Sequence, residues 1–543
     1  MAPRARDSGT LAASSTRWTA AAEVGLIFLV FFIHGAWPAP EVNEPHYLGK
    51  AKHYWDAAWC ARDFFLNTAD AHEVFYFTFG WLTLWLPLSA VAWCGRIATW
   101  GLLAWAWRRL SVALVDGWLY GVLSAALFVA LNDRFHMSGE WVVGGVEAKG
   151  FAYVFVLLGL ESLVRDRWGR AVVLFGAASA FHVVVGGWAV VAAGITWLVT
   201  EKRPPKRQLV WPAAAGLLLA LCGLLPALAL SWGADPQIVN QANRIYVYER
   251  LSHHLLPEQM SAVFVARHLL LVAALVPLAR LAPGDDSFAR LRGFVAASVG
   301  IAAVGMAVSL LAWWKADLAA ALLRYYWFRT CDVMVPLGVA LLASAILRGW
   351  QRQRHPLFAL GLSAALLAGG FHLGETIRMR QTYRAPRAFW SLGTNVDLDD
   401  WRAICDWAER ETEPDALFLV PRLSQSFRWR SGRAEVVTRK DLPQDAPSIV
   451  EWWRRLTRIY RTDDTDPMWC DSLAQLGAER LGELGDEFGA DYVVTSAHPP
   501  VALARVGPIT RTLAVYELRP PRSKSSAQPS PSPRGGAHDE DQP

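Results

Sequence analysis

No C-x-x-C spacing occurs among the six cysteines, Cys60, Cys94, Cys222, Cys331, Cys405 and Cys470. Neither a zinc knuckle nor a thioredoxin-type redox pair is therefore encoded. The chain also lacks a P-loop, a G-x-G-x-x-G ahead of a helix, an H-E-x-x-H and a G-x-S-x-G. These absences remove the usual signatures of nucleotide binding, zinc peptidases and serine hydrolases. No internal repeat is visible. Charge is scarce, with Asp, Glu, Lys and Arg making up 19% of the residues, against about 25% in soluble domains. The basic residues that remain fall in short clusters between apolar runs, so nucleic-acid binding has no support.

What fills the chain is apolar. Hydrophobic residues make up 53% of the sequence and include 28 Trp, and the mean hydropathy is +0.21. The apolar residues come in runs of about 15 to 25, long enough to cross a hydrocarbon core of roughly 30 Å. The reading is a mainly α polytopic membrane protein with about eleven transmembrane helices. The spans are expected near 20–36, 86–107, 111–131, 148–164, 171–184, 187–200, 209–231, 262–281, 293–313, 326–347 and 356–373. The 171–200 stretch is read as two short helices joined near Gly186-Gly187. Basic clusters at Arg4/Arg6/Arg17, Arg108/Arg109, Arg165/Arg167/Arg170, Lys202/Arg203/Lys206/Arg207, Arg280/Arg290/Arg292 and Arg348/Arg352/Arg354 all take the cytoplasmic side by the positive-inside rule. The first run is followed by W-P-A-P-E rather than a small-residue cleavage site, so it reads as a retained helix. Residues 1–19 are then cytoplasmic, 20–373 form the membrane domain, and everything after 374 lies outside.

Polar residues are concentrated on that outer face, in loops 37–75, 132–147 and 232–261. The first holds N-E-P-H-Y-L-G-K-A-K-H-Y-W-D and R-D-F-F-L-N-T-A-D-A-H-E. The second holds E-W-V-V-G-G-V-E-A-K-G, and the third holds N-R-I-Y-V-Y-E-R-L-S-H-H-L-L-P. Such loops on a rigid scaffold are where binding and chemistry tend to sit. Residues 374–519 read as a small α/β domain. Asp397 is a fitting N-cap for a helix with Trp401, Ile404, Trp407 and Ala408 on one face. Strands are expected over 416–421, 435–438, 491–495 and 513–518, and further helices over 449–460 and 472–488. Residues 520–543, rich in Ser and Pro, are disordered by composition.

This organisation resembles the GT-C class of membrane glycosyltransferases, which carry an acidic motif in the first outer loop, about eleven spans and an extracytoplasmic C-terminal domain. Where that class often has Asp-Glu, this chain has Asn43-Glu44. The N-E-P-H-Y-L, G-G-V-E-A-K-G, W-F-R-T-C-D and V-T-R-K-D-L-P-Q-D segments more closely resemble an uncharacterised family of bacterial multi-pass proteins. The GT-C resemblance implies sugar transfer from a polyprenyl-phosphate donor to a glycan acceptor outside the cytoplasm, in the bacterial inner membrane, with the lipid bilayer as surroundings.

Inverting transfer needs a base near the acceptor and cationic or metal help for the departing phosphate. Glu44, Asp63 and Asp70 are candidate bases, joined by Glu140 and Glu147 from the next loop; solvated loop acids are the plain alternative. His46 and Tyr47 flank Glu44. Lys149 sits at the start of an apolar span, where a charge needs a partner or snorkels. Glu147 is too close in sequence to share its helix face. In R-Y-Y-W-F-R-T-C-D, Arg324, Arg329 and Asp332 suit phosphate recognition, or else an aromatic belt with an Arg–Asp pair. Arg250, His253 and His254 follow in the third loop. Adjacent histidines point to different helix faces, so a divalent-cation site with Glu249 or His72-Glu73 is only weakly encoded. His182 reads as a packed helix histidine, and Arg96 as a structural ion-pair partner. Two other functions compete with sugar transfer: a transporter or flippase of envelope precursors, and a non-catalytic envelope scaffold.

Overall fold

The computed structural model describes residues 8–393, 395–462 and 468–519, with side chains from residue 17. Arg4, Arg6 and the composition-based tail 520–543 lie outside the described residues. Helices follow the apolar segments: Ser8–Gly35, Leu88–Leu114, Tyr120–Phe135, Ala148–Val164, Trp168–Phe181, Val183–Val199, Lys206–Ala229, Ala262–Leu281, Asp286–Ser309, Arg329–Gln353 and Phe358–Thr382. Among the described residues, six stretches are long and apolar enough to cross a membrane, from Arg17–Gly35 to Phe358–Thr382. Their outer faces leave Leu218, Leu270, Leu367 and Phe371 exposed. Apolar surface on that scale is what a membrane protein turns toward lipid. Arg329–Gln353 is different, being buried over nearly its whole length, and forms the axis of the bundle.

The break in the 171–200 stretch falls at His182, not at Gly186-Gly187. His182 is extended (φ −151°, ψ 101°), and its ring accepts the Val185 N–H, which starts the next helix. The glycines serve packing instead. A Cβ on Gly176 would lie 2.1 Å from the Gly216 carbonyl oxygen, so helices Trp168–Phe181 and Lys206–Ala229 touch backbone to backbone, as small residues allow between membrane helices.

Outside the bundle the polar segments are structured. Residues Glu44–Trp55 form a helix with Pro45 in its first turn, where a missing N–H costs nothing. The third loop folds into helix Pro236–Arg244, capped by Asp235, then a π-helical turn Ile245–Arg250 and a short helix Ser252–Leu255.

The C-terminal part carries a five-stranded mixed sheet: β1 (Leu417–Leu419), β2 (Ala434–Glu435), β3 (Tyr492–Ser496), β4 (Arg505–Val506) and β5 (Leu513–Glu517), in the order β2-β1-β3-β5-β4. β2, β1 and β3 run parallel, while β5 is antiparallel to both β3 and β4. Helix Leu398–Glu411 starts at the expected Asp397 cap, which accepts from the Asp399 and Asp400 N–H groups. It buries Trp401, Ile404 and Cys405 against Phe418, Val494 and Val515 on one face of the sheet. Trp407 is only half-buried. The other face, with Leu417, Leu419, Val493 and Tyr516, packs helix Ala446–Tyr460. That second core is continuous with the outer loops, taking in Cys60, Phe65, Leu66, Ile245, Val247 and Leu255. Arg62 adds a polar tie, donating to Asp491 (2.7 Å), the Asp415 carbonyl (2.9 Å) and the Gly489 carbonyl (2.6 Å). Cys405 and Cys470 are separate buried thiols, and the other four cysteines are free as well.

Candidate functional site

Where the loops, the sheet domain and the ends of several helices meet, they enclose a cavity of about 800 Å³. Six cations face it, namely Lys149, Arg250, Arg324, Arg329, Arg387 and Lys440, against four acids, Glu41, Asp133, Glu140 and Glu147. One stretch of wall is apolar, formed by Val183, Val184, Ala227 and Leu228. The rest is polar and aromatic.

The second loop supplies Glu140 and Glu147. Gly144-Gly145 keep residues 140–147 out of a helix, and Glu147 becomes the extended N-cap residue of helix Ala148–Val164 (φ −157°, ψ 165°). Because Glu147 is off the helix, it does reach Lys149, with Oε1 3.4 Å from Nζ; the helix-face expectation fails for that reason. Lys149 also lies 3.6 Å from Glu140 and 3.9 Å from the centre of the Trp141 ring. Glu140 forms an ion pair with Arg329, whose Nε lies 2.9 Å away, and accepts the Tyr153 hydroxyl at 3.1 Å. Glu147 accepts Asn43 Nδ2 at 3.2 Å on Oε2, while its buried Oε1 accepts no hydrogen bond. Burial raises the Glu147 carboxyl above its ordinary range against the pull of Lys149, the desolvation effect expected of an acid out of water.

The third loop and the start of helix Arg329–Gln353 supply guanidinium groups. The π-helical turn brings Tyr246 and Arg250 to the cavity, and such turns often mark functional positions. Arg324 donates to Asn243 Oδ1 at 2.6 Å and has no carboxylate partner among the described residues. Arg329 lies 4.0 Å from the centre of the Tyr326 ring, and Tyr326 in turn meets the Tyr246 hydroxyl at 3.1 Å. His253 and His254, adjacent in the short helix Ser252–Leu255, stand with ring centres 4.0 Å apart. Burial, with His253 next, lowers His254 to about 3, so the neutral ring takes the Ser138 carbonyl at 2.5 Å on Nδ1.

Ten of the residues expected from sequence thus line one cavity: Glu140, Glu147, His46, Tyr47, Lys149, Arg250, His253, His254, Arg324 and Arg329. Four do not. Glu44 is fully buried, and its carboxylate is bound by Arg96 through two N–H groups at 2.6 Å each. It also accepts the Glu41 N–H at 2.7 Å and the Val146 N–H at 3.0 Å. It therefore clamps two loops to helix Leu88–Leu114, with both oxygens taken up by protein N–H groups. Asp63, also fully buried, accepts Arg428 Nη1 at 2.6 Å and the Glu435 N–H at 3.0 Å, joining the first loop to the sheet domain. Asp332 does not pair with Arg329. It gathers the second loop by accepting Met137 N (2.6 Å), Ser138 N (2.8 Å), Ser138 Oγ (2.8 Å) and Glu140 N (3.2 Å). Asp70 lies behind the wall and holds His72, whose Nδ1 is 2.8 Å from Oδ1. Burial pushes the Asp70 carboxyl up, but His72, Lys50 and His46 outweigh it and keep it below its usual range.

Sequence reading missed several lining residues. His182 meets Arg329 Nη1 at 3.2 Å from the helix break; the Val residues that follow are helical, so the sequence carries no signal for it. Asn43, which stands where the GT-C motif often has Asp, bridges Glu147 and Lys440, whose Nζ donates to Asn43 Oδ1 at 2.6 Å. Lys440 and Gln444 come from V-T-R-K-D-L-P-Q-D, a segment distinctive in sequence but far from the membrane helices. Among the described residues no three His, Cys, Asp or Glu side chains are placed to hold a metal ion.

Residues 399–459 match a family model described as a domain of unknown function (DUF6798). The match includes β1, β2 and Lys440. No curated protein matches the chain. Among solved structures, the chain is similar to the oligosaccharyltransferase of Archaeoglobus fulgidus, crystallised with Zn and sulfate. The identity is 9%, the coverage is 87% of this chain and 67% of that one, and the TM-score is 0.41.

Proposed function

We propose that this protein is a GT-C-like membrane glycosyltransferase that moves a sugar from a polyprenyl-phosphate donor to an acceptor on the extracytoplasmic side. In this reading the eleven long helices all cross a bacterial inner membrane, the N-terminus is cytoplasmic, and residues 374–519 lie outside. The observation that carries the reading is the buried, hydrogen-bond-free Oε1 of Glu147 in a cavity with more cations than acids. A carboxylate with a raised pKa and an open lone pair is suited to general-base work. Surplus guanidinium groups suit a phosphate that gains charge as it departs.

The acceptor hydroxyl gives its proton to Glu147 Oε1 as its oxygen attacks the anomeric carbon. The bond from that carbon to the phosphate oxygen breaks, and the electron pair leaves with the lipid phosphate. Arg324 and Arg329 meet that charge, and Val183, Val184, Ala227 and Leu228 offer an apolar wall to the first isoprene units. Glu140 holds Arg329 in place rather than acting on substrate.

The test is transfer from a panel of radiolabelled polyprenyl-phosphate sugars in vesicles, comparing the wild type with Glu147→Gln and Arg324→Ala. Wild-type transfer with loss in both variants is expected. No transfer from any donor overturns the enzyme reading, and full activity in Glu147→Gln removes Glu147 as the base.

A further inference from the structure

One wall of the cavity has no part in that chemistry. After β2 the chain turns back toward the bundle, and Lys440, Leu442, Pro443 and Gln444 reach the cavity. The turn is anchored from several sides. Trp452 Nε1 donates to the Thr438 carbonyl at 2.9 Å, Arg428 Nη2 donates to Asp441 at 2.7 Å, and Gln444 Oε1 accepts the Ala71 N–H at 3.1 Å. Arg250 reaches across from the third loop and donates Nε to the Arg439 carbonyl at 2.9 Å. It therefore sits beside Lys440.

Among the described residues these two cations have no carboxylate at ion-pair distance: Lys440 bonds the neutral Asn43 amide, and Arg250 bonds a backbone carbonyl. Asp441, next to Lys440 in sequence, is bound by Arg428 and lies 3.6 Å from His46. Like charges placed together in a partly buried site repel and are desolvated. An anion with several acceptor oxygens removes both costs. Lys440 also lies on the base side of the cavity, since Asn43 links it to Glu147.

We propose that Lys440 and Arg250 form a second anion subsite, which takes a phosphate group carried by the acceptor. The sheet domain then completes the substrate site rather than standing beside it. The assignment to the acceptor rests on the transfer reading above; the subsite itself does not. Lys440 is held down to about 8 by burial and then by Arg250, with Glu147 and Asp441 pulling the other way and Lys149 adding to the repulsion. His46 and His253 also face it. Its ammonium charge, and the grip on phosphate, are lost as pH rises through that value.

The test measures binding of inorganic phosphate to the full chain in nanodiscs, without any sugar donor, so a failure of transfer leaves it intact. Lys440→Met should weaken phosphate about tenfold, the worth of one charge-assisted hydrogen bond, while melting like the wild type. Lys440→Arg should retain binding. The wild type should lose affinity relative to Lys440→Arg as pH rises through about 8, a readout that a purely structural lysine would not move. Equal pH profiles in wild type and Lys440→Arg overturn the subsite. So does phosphate binding that Arg324→Ala abolishes and Lys440→Met leaves untouched.

Discussion

Two groups of buried charge, drawn from the same outer loops, differ in one respect. Around Glu44–Arg96 and Arg428–Asp63–Asp441, hydrogen bonds from the protein itself use up the carboxylate oxygens. Around Glu147, Arg250 and Lys440, bonding capacity is left over: a carboxylate oxygen that accepts no hydrogen bond and meets only the Lys149 ammonium, at 3.4 Å, and two cations that have, among the described residues, no carboxylate at ion-pair distance. Burial alone does not separate the groups, because Glu147, 2% exposed, is buried almost as deeply as Glu44 and Asp63. A closed network fixes the loops and an open one awaits a ligand. The first makes the second possible, since the loops that Glu44, Asp63 and Asp332 tie down are those that carry Asn43, Glu140 and Glu147.

The comparison breaks most visibly where a closed network loses its cation. Arg428→Met leaves Asp63, Asp441 and Glu435 facing one another in the interior, and Arg96→Met leaves Glu44 alone. Each should cost about 3–5 kcal/mol, the usual penalty for stranding a buried charge, read as loss of the folded protein in thermal unfolding in detergent. A melting temperature within a few degrees of wild type for both would mean that these networks do not hold the loops. The open network should show the opposite pattern. Glu147→Gln should lower transfer by about a hundredfold or more, the scale of general-base catalysis, while its melting stays close to wild type. An unstable Glu147→Gln with unchanged specific activity would put Glu147 among the structural acids.

Most of the architecture was legible from hydropathy and capping. Apolar runs gave helices at the expected places, and the Asp397 cap and the strand pattern of β1, β3 and β5 hold, because each depends on local sequence. The two-residue β4 was missed, being too short for an alternating pattern. The break at His182 was placed at glycines instead, since glycine marks close packing in a membrane as readily as a turn. The cavity was half legible. Loop acids and arginines were the right types in the right loops, but whether Glu44 faces a cavity or Arg96 is decided by a residue 52 positions away. Lys440 could not be placed beside Asn43, because the two are 397 positions apart and meet only when the sheet domain docks.

At the edge of the closed network, Glu435, whose buried Oε1 accepts no hydrogen bond, offers the finest test. One guanidinium, Arg428, faces three carboxylates, Asp63, Asp441 and Glu435, at 2.6, 2.7 and 3.3 Å. It cannot neutralise all three, so the acid with the longest contact keeps its proton. Burial raises Glu435 to about 8, with Arg428 opposing, while Arg428 and His46 hold Asp441 below its usual range despite burial. An acid raised on folding lends its full stability below its unfolded value of 4.5 and loses it as pH climbs to about 8. Stability should therefore fall with rising pH across that window by at most about 1.4 kcal/mol per unit from this group. Glu435→Gln, a neutral amide in the place of the protonated acid, should flatten the slope without lowering stability at the acid end. An unchanged slope would mean that the proton sits elsewhere in the network, and that Arg428 balances its three carboxylates in a different order from the one its contact distances imply.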